Sequence, residues 1–260
     1  MNHFLVDDFI KNNKIDIIIH LAVGRGNTVF KDTLRMFVNI VKNSDKVEKI
    51  IIFGSGAEYN KKRNLIEVTE DKIGKYIPED NYGLAKYFSN EVIKGLKNVV
   101  NLRLFGVFGK YEGYRFKFIS NSIVKALLDL NIEIAQDVIF DYLYIDDLVH
   151  ILQHFIENDF EYSDYNITPT ESVSLIEITE IIREITKNKS EVVILNDGKN
   201  YQYTASNRRL MEFVGDFTFT PYEESISQLI NFYNQDIEKL DKNLIVEDIY
   251  LKRSMKKIVE

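Results

Sequence analysis

The 260-residue sequence contains no cysteine and only three prolines. Without cysteine, the chain can form no disulfide framework, no thiolate zinc site and no cysteine nucleophile. An excess of positive charge is also lacking, because 33 lysines and arginines stand against 40 aspartates and glutamates, for a net charge of −7. Since a polyanionic backbone is attracted by a basic surface, we do not expect a nucleic acid as a partner.

Long apolar runs are missing as well. No run approaches the roughly 18 residues that a membrane-spanning helix needs, and Asp7 and Asp8 stand where a signal peptide would need an apolar core. We therefore expect no membrane partner, no secretion and a cytoplasmic location. The hydrophobic fraction of 45% and the charged fraction of 28% are those of an ordinary globular protein.

Short β-branched runs alternate with helical patterns in the first part of the chain. The runs at 15–22, 49–53 and 99–106 are predicted strands, and the segments 28–42 and 81–95 are predicted helices. Near-continuous apolar runs suit strands that are covered on both faces. The alternation predicts βαβ units and a parallel sheet.

A looser pattern after Gly106 predicts a smaller α+β lobe. Its predicted helices lie at 120–130, 147–158, 174–187 and 223–234, and its predicted strands at 140–144 and 191–196. The last 25 residues, from Asp236, mix charged and apolar residues without a clear period. They are interpreted as a docked helix or a fraying tail.

Generic ligand motifs are absent from this sequence. No G-x-x-x-x-G-K-[ST] occurs, which excludes a P-loop. The glycine turns at 24–26 and 54–56 have Val29 and Tyr59 at the third glycine position of a dinucleotide fingerprint. His150 and His154 are spaced for one helix face but lack the acidic residue of a metalloprotease helix, so no metal is expected.

Tyr82 and Lys86 are four residues apart in a predicted helix, so that the phenol and the ammonium face the same way. At about 4 Å and an effective dielectric constant of about 20, the ammonium would favour the phenolate by about 4 kcal/mol. That would lower a pKa near 10 by about three units, into the range of proton exchange near neutrality. With 15 tyrosines in the chain, such a pair also arises by chance.

Ser55 follows the predicted strand at 49–53, in the turn Gly54-Ser55-Gly56. Ligands of open α/β sheets bind at the carboxyl ends of the strands, so this hydroxyl is placed to hold a substrate oxygen beside the phenol. In the alternative interpretation, Ser55 is only a turn residue and Tyr82 only a half-buried aromatic.

Six segments occur in an order typical of one enzyme family: DIIIHLA, IIFGSGAEYN, NYGLAKY, NLRLFGVFG, FDYLYIDDLV and YNIT. Through them the sequence resembles the NAD-dependent epimerase/dehydratase family, the extended short-chain dehydrogenases. The resemblance implies an α/β fold with a Rossmann-like parallel sheet, N-terminally incomplete, and a smaller α+β substrate lobe. It assigns 1–110 to a partial dinucleotide-binding domain with the catalytic residues, 111–235 mainly to an interleaved substrate-binding lobe, and 236–260 to a C-terminal extension.

By resemblance, Ser55, Tyr82 and Lys86 form the catalytic trio. Ser55 would orient the sugar oxygen, Tyr82 would pass the proton, and Lys86 would bind the nicotinamide ribose and hold Tyr82 acidic. The implied cofactor is NAD or NADP, and the positions that would contact it are Leu21, Ala22, Phe53, Tyr82, Lys86, Phe105 and Val107. The positions that would contact a nucleotide-sugar substrate are Gly56, Ala57, Arg115, Asn121 and Tyr142. Arg115 is the candidate diphosphate ligand, although the last three residues are equally interpreted as surface residues.

The sequence departs from the family at its start. Only 14 residues, interpreted as a helix, precede the predicted strand at 15–22, whereas family members first have a glycine-rich turn and further βα units that hold the pyrophosphate. We therefore expect weak binding of NAD or NADP and an apolar open edge at this strand. Three explanations stay open: a truncation, which the intact catalytic landmarks favour, a partner chain that supplies the missing half, and a remnant that has lost catalysis. The expected assembly is a homodimer or a complex with such a partner.

The expected activity is the NAD(P)-dependent reduction of a 4-keto nucleotide sugar, or C4 epimerisation, by hydride transfer in the supply of polysaccharide precursors. Family 4,6-dehydratases carry an Asp-Glu pair where this chain has Gly56 and Ala57, so dehydration is not expected. The cysteine and histidine of the GDP-fucose synthase branch match Ala57 and Ser122, so 3,5-epimerisation is not expected either. Glu58 and Glu112 are the nearby acids, and both are expected to be solvated. The alternative function is that of a noncatalytic binding or scaffold subunit.

Overall fold

The computed structural model describes residues 3–187 and 191–259. The helices are α1 (His3–Asn13), α2 (Val29–Val41), α3 (Asn81–Ile93), α4 (Phe118–Leu127), α5 (Ile145–Glu157), α6 (Leu175–Thr186), α7 (Arg208–Val214), α8 (Tyr222–Gln235), α9 (Lys242–Val246) and α10 (Ile249–Ser254). The strands are β1 (Ile17–His20), β2 (Lys49–Ser55), β3 (Leu65–Val68), β4 (Val99–Leu104), β5 (Gly106–Phe108), β6 (Ile132–Ile134), β7 (Ile139–Phe140), β8 (Tyr142–Tyr144), β9 (Asp164–Ile167), β10 (Val173–Ser174), β11 (Val192–Ile194) and β12 (Tyr203–Ala205).

The chain forms two compact units, each built from several segments. The first comprises Met1–Phe105, His150–Thr168 and Ala205–Phe217. The second comprises Gly106–Val149, Pro169–Thr204 and Thr218–Glu260.

The first unit contains a parallel sheet in the order β1-β2-β4-β9. Every residue of β2 is buried, as its near-continuous apolar run predicts for a central strand. Ile50 and Ile52 of β2 pack with Phe37 of α2 and Ile93 of α3. The predicted parallel sheet is thus confirmed, and its central strand carries Ser55 at its carboxyl end.

Strand β1 is shorter than the predicted strand at 15–22 and ends at His20. Leu21 is 63% exposed, so the apolar residues past His20 are not part of a covered strand. Within the described residues, β1 pairs only with β2 and is the edge of this sheet, as expected. The segment before it is the helix α1, also as expected.

The second unit holds short strands and helices around a separate core. β5 pairs with β8 and β6 with β11, in both cases in parallel, while β7 lies between β10 and β12. The predicted strand at 140–144 is in fact two strands, β7 and β8, because the two segments pair with different partners. Helices α4, α6 and α8 supply Ile123, Ile178 and Leu229 to the core.

The C-terminal segment is docked on the second unit, which was one of its two interpretations. Ile245 of α9 is fully buried, and Asp248 forms a buried ion pair with Lys125 of α4. Further along, the Gln136 side-chain amide donates to the Val259 carbonyl oxygen at 2.9 Å. These contacts hold the segment along its length.

In the described ranges, no helix is both long and apolar enough to cross a membrane. Nor does any group of three or more His, Cys, Asp or Glu side chains there have the arrangement of a metal site. His154 instead makes an edge contact with the Phe213 ring and a 3.0 Å hydrogen bond to the Phe213 carbonyl oxygen.

Candidate active site

Ser55 lies where β2 passes into a 3₁₀ turn at Gly56–Tyr59. Its backbone is extended, and its hydroxyl oxygen accepts a hydrogen bond from the Ala57 N–H at 3.2 Å. This is the N-cap arrangement, in which a serine side chain satisfies a free backbone donor. The cap fixes the Ser55 side chain at the carboxyl end of the central strand.

Helix α3 brings Tyr82 to this turn. Asp80 caps the helix by accepting from the Gly83 N–H at 3.0 Å, so Tyr82 lies in the first turn. Gly83 faces the 3₁₀ turn, where an added Cβ would lie 2.6 Å from the Ala57 carbonyl oxygen. Because glycine permits this close approach, the first turn of α3, which carries Tyr82, lies against the turn that begins after Ser55.

The charge state of Tyr82 differs from the sequence prediction. Burial raises the pKa of the phenol, and the hydrogen bond with Ser55 lowers it by less. The prediction that Lys86 lowers this pKa towards neutrality is therefore wrong. With its pKa raised, the phenol is suited to donate a proton rather than to accept one near neutral pH.

Lys86 points at the sheet. Its ammonium donates to the Phe53 carbonyl oxygen at 2.5 Å, and burial lowers its pKa. An ammonium has three donors, so two remain beside the one given to Phe53. Lys86 and Phe53 line a small cavity together with His20 and Asn101.

His20, at the end of β1, was not singled out from the sequence. Burial lowers its pKa to about 4, and the charge of Lys86 acts in the same direction. The imidazole is therefore neutral at pH 7, beside a charged lysine. Asn101 shares this cavity, and its buried side-chain oxygen has no hydrogen-bond partner among the residues that the structure describes.

Glu58 corrects a second expectation. It is fully buried rather than solvated, and its carboxylate forms a 2.8 Å ion pair with Arg103 of β4. The same carboxylate accepts the Ser55 N–H at 2.9 Å. The acid nearest in sequence to Ser55 is therefore fully engaged within the protein.

The cofactor positions predicted in the first unit lie at the carboxyl ends of its parallel strands. Leu21 and Ala22 are exposed after β1, and Phe105, which directly follows β4, packs its ring 6.1 Å from that of Tyr59. The hydroxyl groups of a nicotinamide ribose need hydrogen-bond partners. The phenol of Tyr82 and the remaining donors of Lys86 supply such partners. The donor set therefore fits the group. Val107 belongs to the second unit, on β5.

The predicted substrate positions are divided between the units. Gly56 and Ala57 form the turn after Ser55 in the first unit. In the second unit, Arg115 is paired with Glu247 at 3.0 Å, and burial raises the pKa of Tyr142. Asn121 is 3% exposed, and its side-chain nitrogen has no hydrogen-bond partner within the described part of the chain.

Glu112 of the second unit is half-buried, so the expectation of a solvated acid is wrong here too. Burial raises its pKa to about 7, although the Ser120 hydroxyl donates to it at 2.6 Å and lowers it in part. This carboxyl changes charge near neutral pH.

Comparisons with known proteins show which sequences and folds this chain is similar to. The sequence profile of the NAD dependent epimerase/dehydratase family matches residues 1–168. The ADP-L-glycero-D-manno-heptose-6-epimerase of Brachyspira hyodysenteriae is 26% identical over 231 residues, which are 80% of this chain and 72% of that protein. The dTDP-4-dehydro-6-deoxyglucose reductase of Escherichia coli is 27% identical over 213 residues, which are 73% of this chain and 65% of that protein.

Solved structures confirm the Rossmann-like α/β fold. The dTDP-glucose 4,6-dehydratase of Bacillus anthracis, in complex with NAD, matches with a TM-score of 0.77 and 18% identity, over 94% of this chain and 80% of that one. Structures with this fold hold NAD or NADP.

Proposed function

The chain belongs to the NAD dependent epimerase/dehydratase family, and from this premise we propose that it transfers a hydride at one carbon of a nucleotide-activated sugar. The reaction is 4-keto reduction or C4 epimerisation, with NAD or NADP as cofactor. The observation that carries the proposal is the placement of Ser55 at the carboxyl end of β2, in a turn that packs against the first turn of α3, which carries the half-buried Tyr82. Ligands of open parallel sheets bind at this end.

Each side chain has one role in the reduction. Ser55 donates a hydrogen bond to the ketone oxygen and orients it towards Tyr82. As the carbonyl carbon gains a hydride, its oxygen takes the phenolic proton of Tyr82, which gives the carbinol and a phenolate. Lys86 binds the nicotinamide ribose through the ammonium donors that remain beside the one given to Phe53. The nicotinamide, when bound, supplies or accepts the hydride.

The protonation state of Tyr82 favours reduction over oxidation as the first step. A raised phenol pKa keeps the proton that a ketone oxygen needs, whereas oxidation of a carbinol needs a phenolate. C4 epimerisation requires an oxidation and then a reduction at the same carbon. The raised pKa of Tyr82 therefore favours 4-keto reduction over C4 epimerisation.

The two residues that follow Ser55 in the first unit do not supply the acid and the base that dehydration needs. Elimination of water needs an acid at the leaving hydroxyl and a base at the adjacent carbon, and the two residues after Ser55 are Gly56 and Ala57. Glu58 is no substitute, because its carboxylate is held by Arg103 and by the Ser55 N–H.

The two relatives support the class of substrate. The Escherichia coli protein is a reductase of a dTDP-4-dehydro sugar, and the Brachyspira protein is an epimerase of an ADP-heptose. Both substrates are sugars carried on a nucleoside diphosphate. At this level of identity they support the class and leave the individual sugar open.

The test supplies the protein with a 4-keto-6-deoxy nucleotide sugar and NADPH, and separately with nucleotide hexoses and NAD, and identifies products by NMR. We expect a 6-deoxy carbinol in the first reaction, or a C4 epimer in the second. Tyr82→Phe should lose turnover by about a hundredfold or more, since it lacks only the transferred proton. Tyr87→Phe, on the same helix, is the matched control and should keep it. A 4-keto-6-deoxy product from a nucleotide hexose, or wild-type turnover in Tyr82→Phe, contradicts the proposal.

A further inference from the structure

One face of α3 carries Tyr82, Lys86 and Asn90, which follow one another at intervals of four residues. Lys86 is fixed to β2, since its ammonium donates to the Phe53 carbonyl oxygen. Asn90 lies one helical turn further along and is 2% exposed. A buried polar side chain is costly unless it is hydrogen-bonded. The partners of Asn90 therefore show what else holds this face of the helix.

The side-chain oxygen of Asn90 accepts two hydrogen bonds from β4. Asn101 Nδ2 donates at 2.9 Å and Arg103 Nη2 at 3.2 Å. These two residues of β4 are two positions apart, so their side chains lie on the same face of the sheet. Their exposed fractions are 1% and 0%. A single oxygen thus ties α3 to two buried donors on the strand that pairs with β2.

The same two donors hold the turn that follows Ser55. Arg103 Nε donates to Glu58 Oε2 at 2.8 Å, and Asn101 Nδ2 donates to the same oxygen at 3.2 Å. The other carboxylate oxygen, Oε1, accepts the Ser55 N–H at 2.9 Å. Asn101 and Arg103 therefore form a bridge, because each of them donates to Asn90 on the helix and to Glu58 in the turn.

Stability alone does not explain this bridge. Well-packed apolar residues of similar volume often stabilise a fold as well as a buried charged pair does, or better. Hydrogen bonds add direction, since they are made in one relative placement of helix, strand and turn. The proposed reaction needs such a placement. Ser55 and Tyr82 must meet the same ketone oxygen, and a small displacement of either is costly.

We propose that Asn90 is a positioning residue: it joins α3 to the two donors on β4 and so sets where Tyr82 lies relative to Ser55. Asn90 acts through these contacts and takes no part in the proton transfer itself. This inference rests on the proposed function for its catalytic meaning. The tie between α3 and β4 is a property of the folded chain and can be measured without substrate or cofactor.

Three substitutions separate this role from a merely structural one. Asn90→Leu removes the acceptor oxygen at nearly the same side-chain size. Asn90→Asp keeps that oxygen, so that both donors of β4 retain their acceptor. Asp164→Leu is the matched control, because the Asp164 carboxylate also accepts from Arg103 Nη2, at 2.8 Å, but belongs to β9. Since it also removes an ion pair with Arg209, it should cost at least as much stability as Asn90→Leu.

The first measurement is ketone reduction, with kcat and KM determined separately and stability measured by urea unfolding. Asn90→Leu should lower kcat by about tenfold to a hundredfold, because proton transfer depends steeply on the placement of Tyr82. The KM of the sugar should change by less than about threefold, because a buried Asn90 offers no surface to a ligand. Asn90→Asp should recover kcat to within about threefold of the wild type, and Asp164→Leu should keep it within the same factor.

The second measurement needs no ligand. Amide hydrogen exchange is followed by mass spectrometry in the peptides that cover α3. In Asn90→Leu these amides should exchange at least about fivefold faster than the loss of global stability explains. In Asn90→Asp and Asp164→Leu they should exchange at the rate that global stability gives. Ser89→Ala is the control on the same helix, because the Ser89 hydroxyl donates within α3, to the Ala85 carbonyl oxygen at 2.9 Å.

Asn90→Leu leaves two buried donors without this acceptor and is at risk of not folding. Asn90→Ala then takes the same two measurements with the same expected directions. Overturning results are an unchanged kcat, an equal loss of kcat in Asp164→Leu, no recovery in Asn90→Asp, or failure of both Asn90→Leu and Asn90→Ala to fold. If Tyr82→Phe keeps its turnover while Asn90→Leu loosens α3, the proposed function fails and the tie stands. If Tyr82→Phe is inactive while Asn90→Leu keeps both kcat and the exchange rates of α3, only this inference fails.

Discussion

Gly83 of α3 lies so close to the 3₁₀ turn that an added Cβ would be 2.6 Å from the carbonyl oxygen of Ala57. Helix and turn therefore meet backbone to backbone. The neighbour of Gly83 in the chain is Tyr82, and Ser55 caps the turn, so this close approach brings the segments that carry the two residues together. The spacing Tyr-Gly-x-x-Lys at 82–86 therefore matters for packing as well as for chemistry.

We predict that Gly83→Ala lowers both stability and turnover. In an exposed helix interior, a change from glycine to alanine would raise the free energy of unfolding by about 1 kcal/mol. Here the added carbon must push α3 away from the turn, which lowers the free energy of unfolding by roughly 1–3 kcal/mol. Turnover should fall at least about tenfold, because a small displacement of an acid from its target is costly. Urea unfolding and steady-state rates give both values. Val92→Ala, at an exposed position of α3, is the control, and an equally stable and active Gly83→Ala would contradict the packing argument.

Much of the fold follows from pattern alone. The runs around Ile51 and Val100 could be assigned to buried parallel strands, because continuous apolar β-branched residues suit no exposed element. The helices α2 and α3 begin within one residue of their predicted starts. Strands β3 and β9 were not predicted, since Leu65–Val68 and Asp164–Ile167 are only four residues long and contain charged or polar residues, and their partners in the sheets define them.

The places of Ser55 and Tyr82 in the fold were predictable from the sequence, and the direction of the Tyr82 pKa shift was not. Ser55 and Tyr82 could be placed from turn and helix patterns, whereas the pKa of Tyr82 depends on burial that no local pattern reports. Glu58 and Arg103 illustrate the same limit. One signal was available, since an arginine inside the apolar strand Val99–Leu104 must find a buried carboxylate.

His20 should make stability depend on pH below neutrality. Its pKa is about 4 in the folded chain and about 6.5 in an unfolded one, so the unfolded state binds more protons between these values. Stability is therefore complete above about pH 6.5 and falls as the pH drops through 4, by up to roughly 3 kcal/mol. Urea unfolding at several pH values should show a shallower fall for His20→Asn than for the wild type. Parallel curves for the two proteins would show that His20 titrates normally.

Glu112 should make stability fall as the pH rises, opposite to the pH dependence expected from His20. Its folded pKa of about 7 lies above its ordinary value of 4.5, so the folded state holds the proton longer than the unfolded one. The contribution to stability is present below about pH 4.5 and is lost as the pH rises through 7, by up to roughly 3 kcal/mol. Glu112→Gln, which cannot ionise, should gain stability relative to the wild type between pH 5 and 8 by about that amount. A constant difference across this range would contradict the raised pKa.

The ion pair between Arg115 and Glu247 leads to a prediction about ligand binding. The two groups are 3.0 Å apart and partly exposed, and such pairs contribute about 0–1 kcal/mol. If Arg115 is the diphosphate ligand, Glu247 competes with the diphosphate for the guanidinium. Glu247→Gln should then bind UDP, dTDP or GDP up to about fivefold more tightly than the wild type, which is the factor that 1 kcal/mol gives. Isothermal titration calorimetry measures these affinities.

Glu238→Gln is the control: it removes the same charge at an exposed position of the same segment and should leave the affinity for the nucleoside diphosphate unchanged. In the double variant Glu247→Gln/Arg115→Gln, the gain in affinity that Glu247→Gln gives should be lost. If the gain survives in the double variant, the diphosphate binds elsewhere.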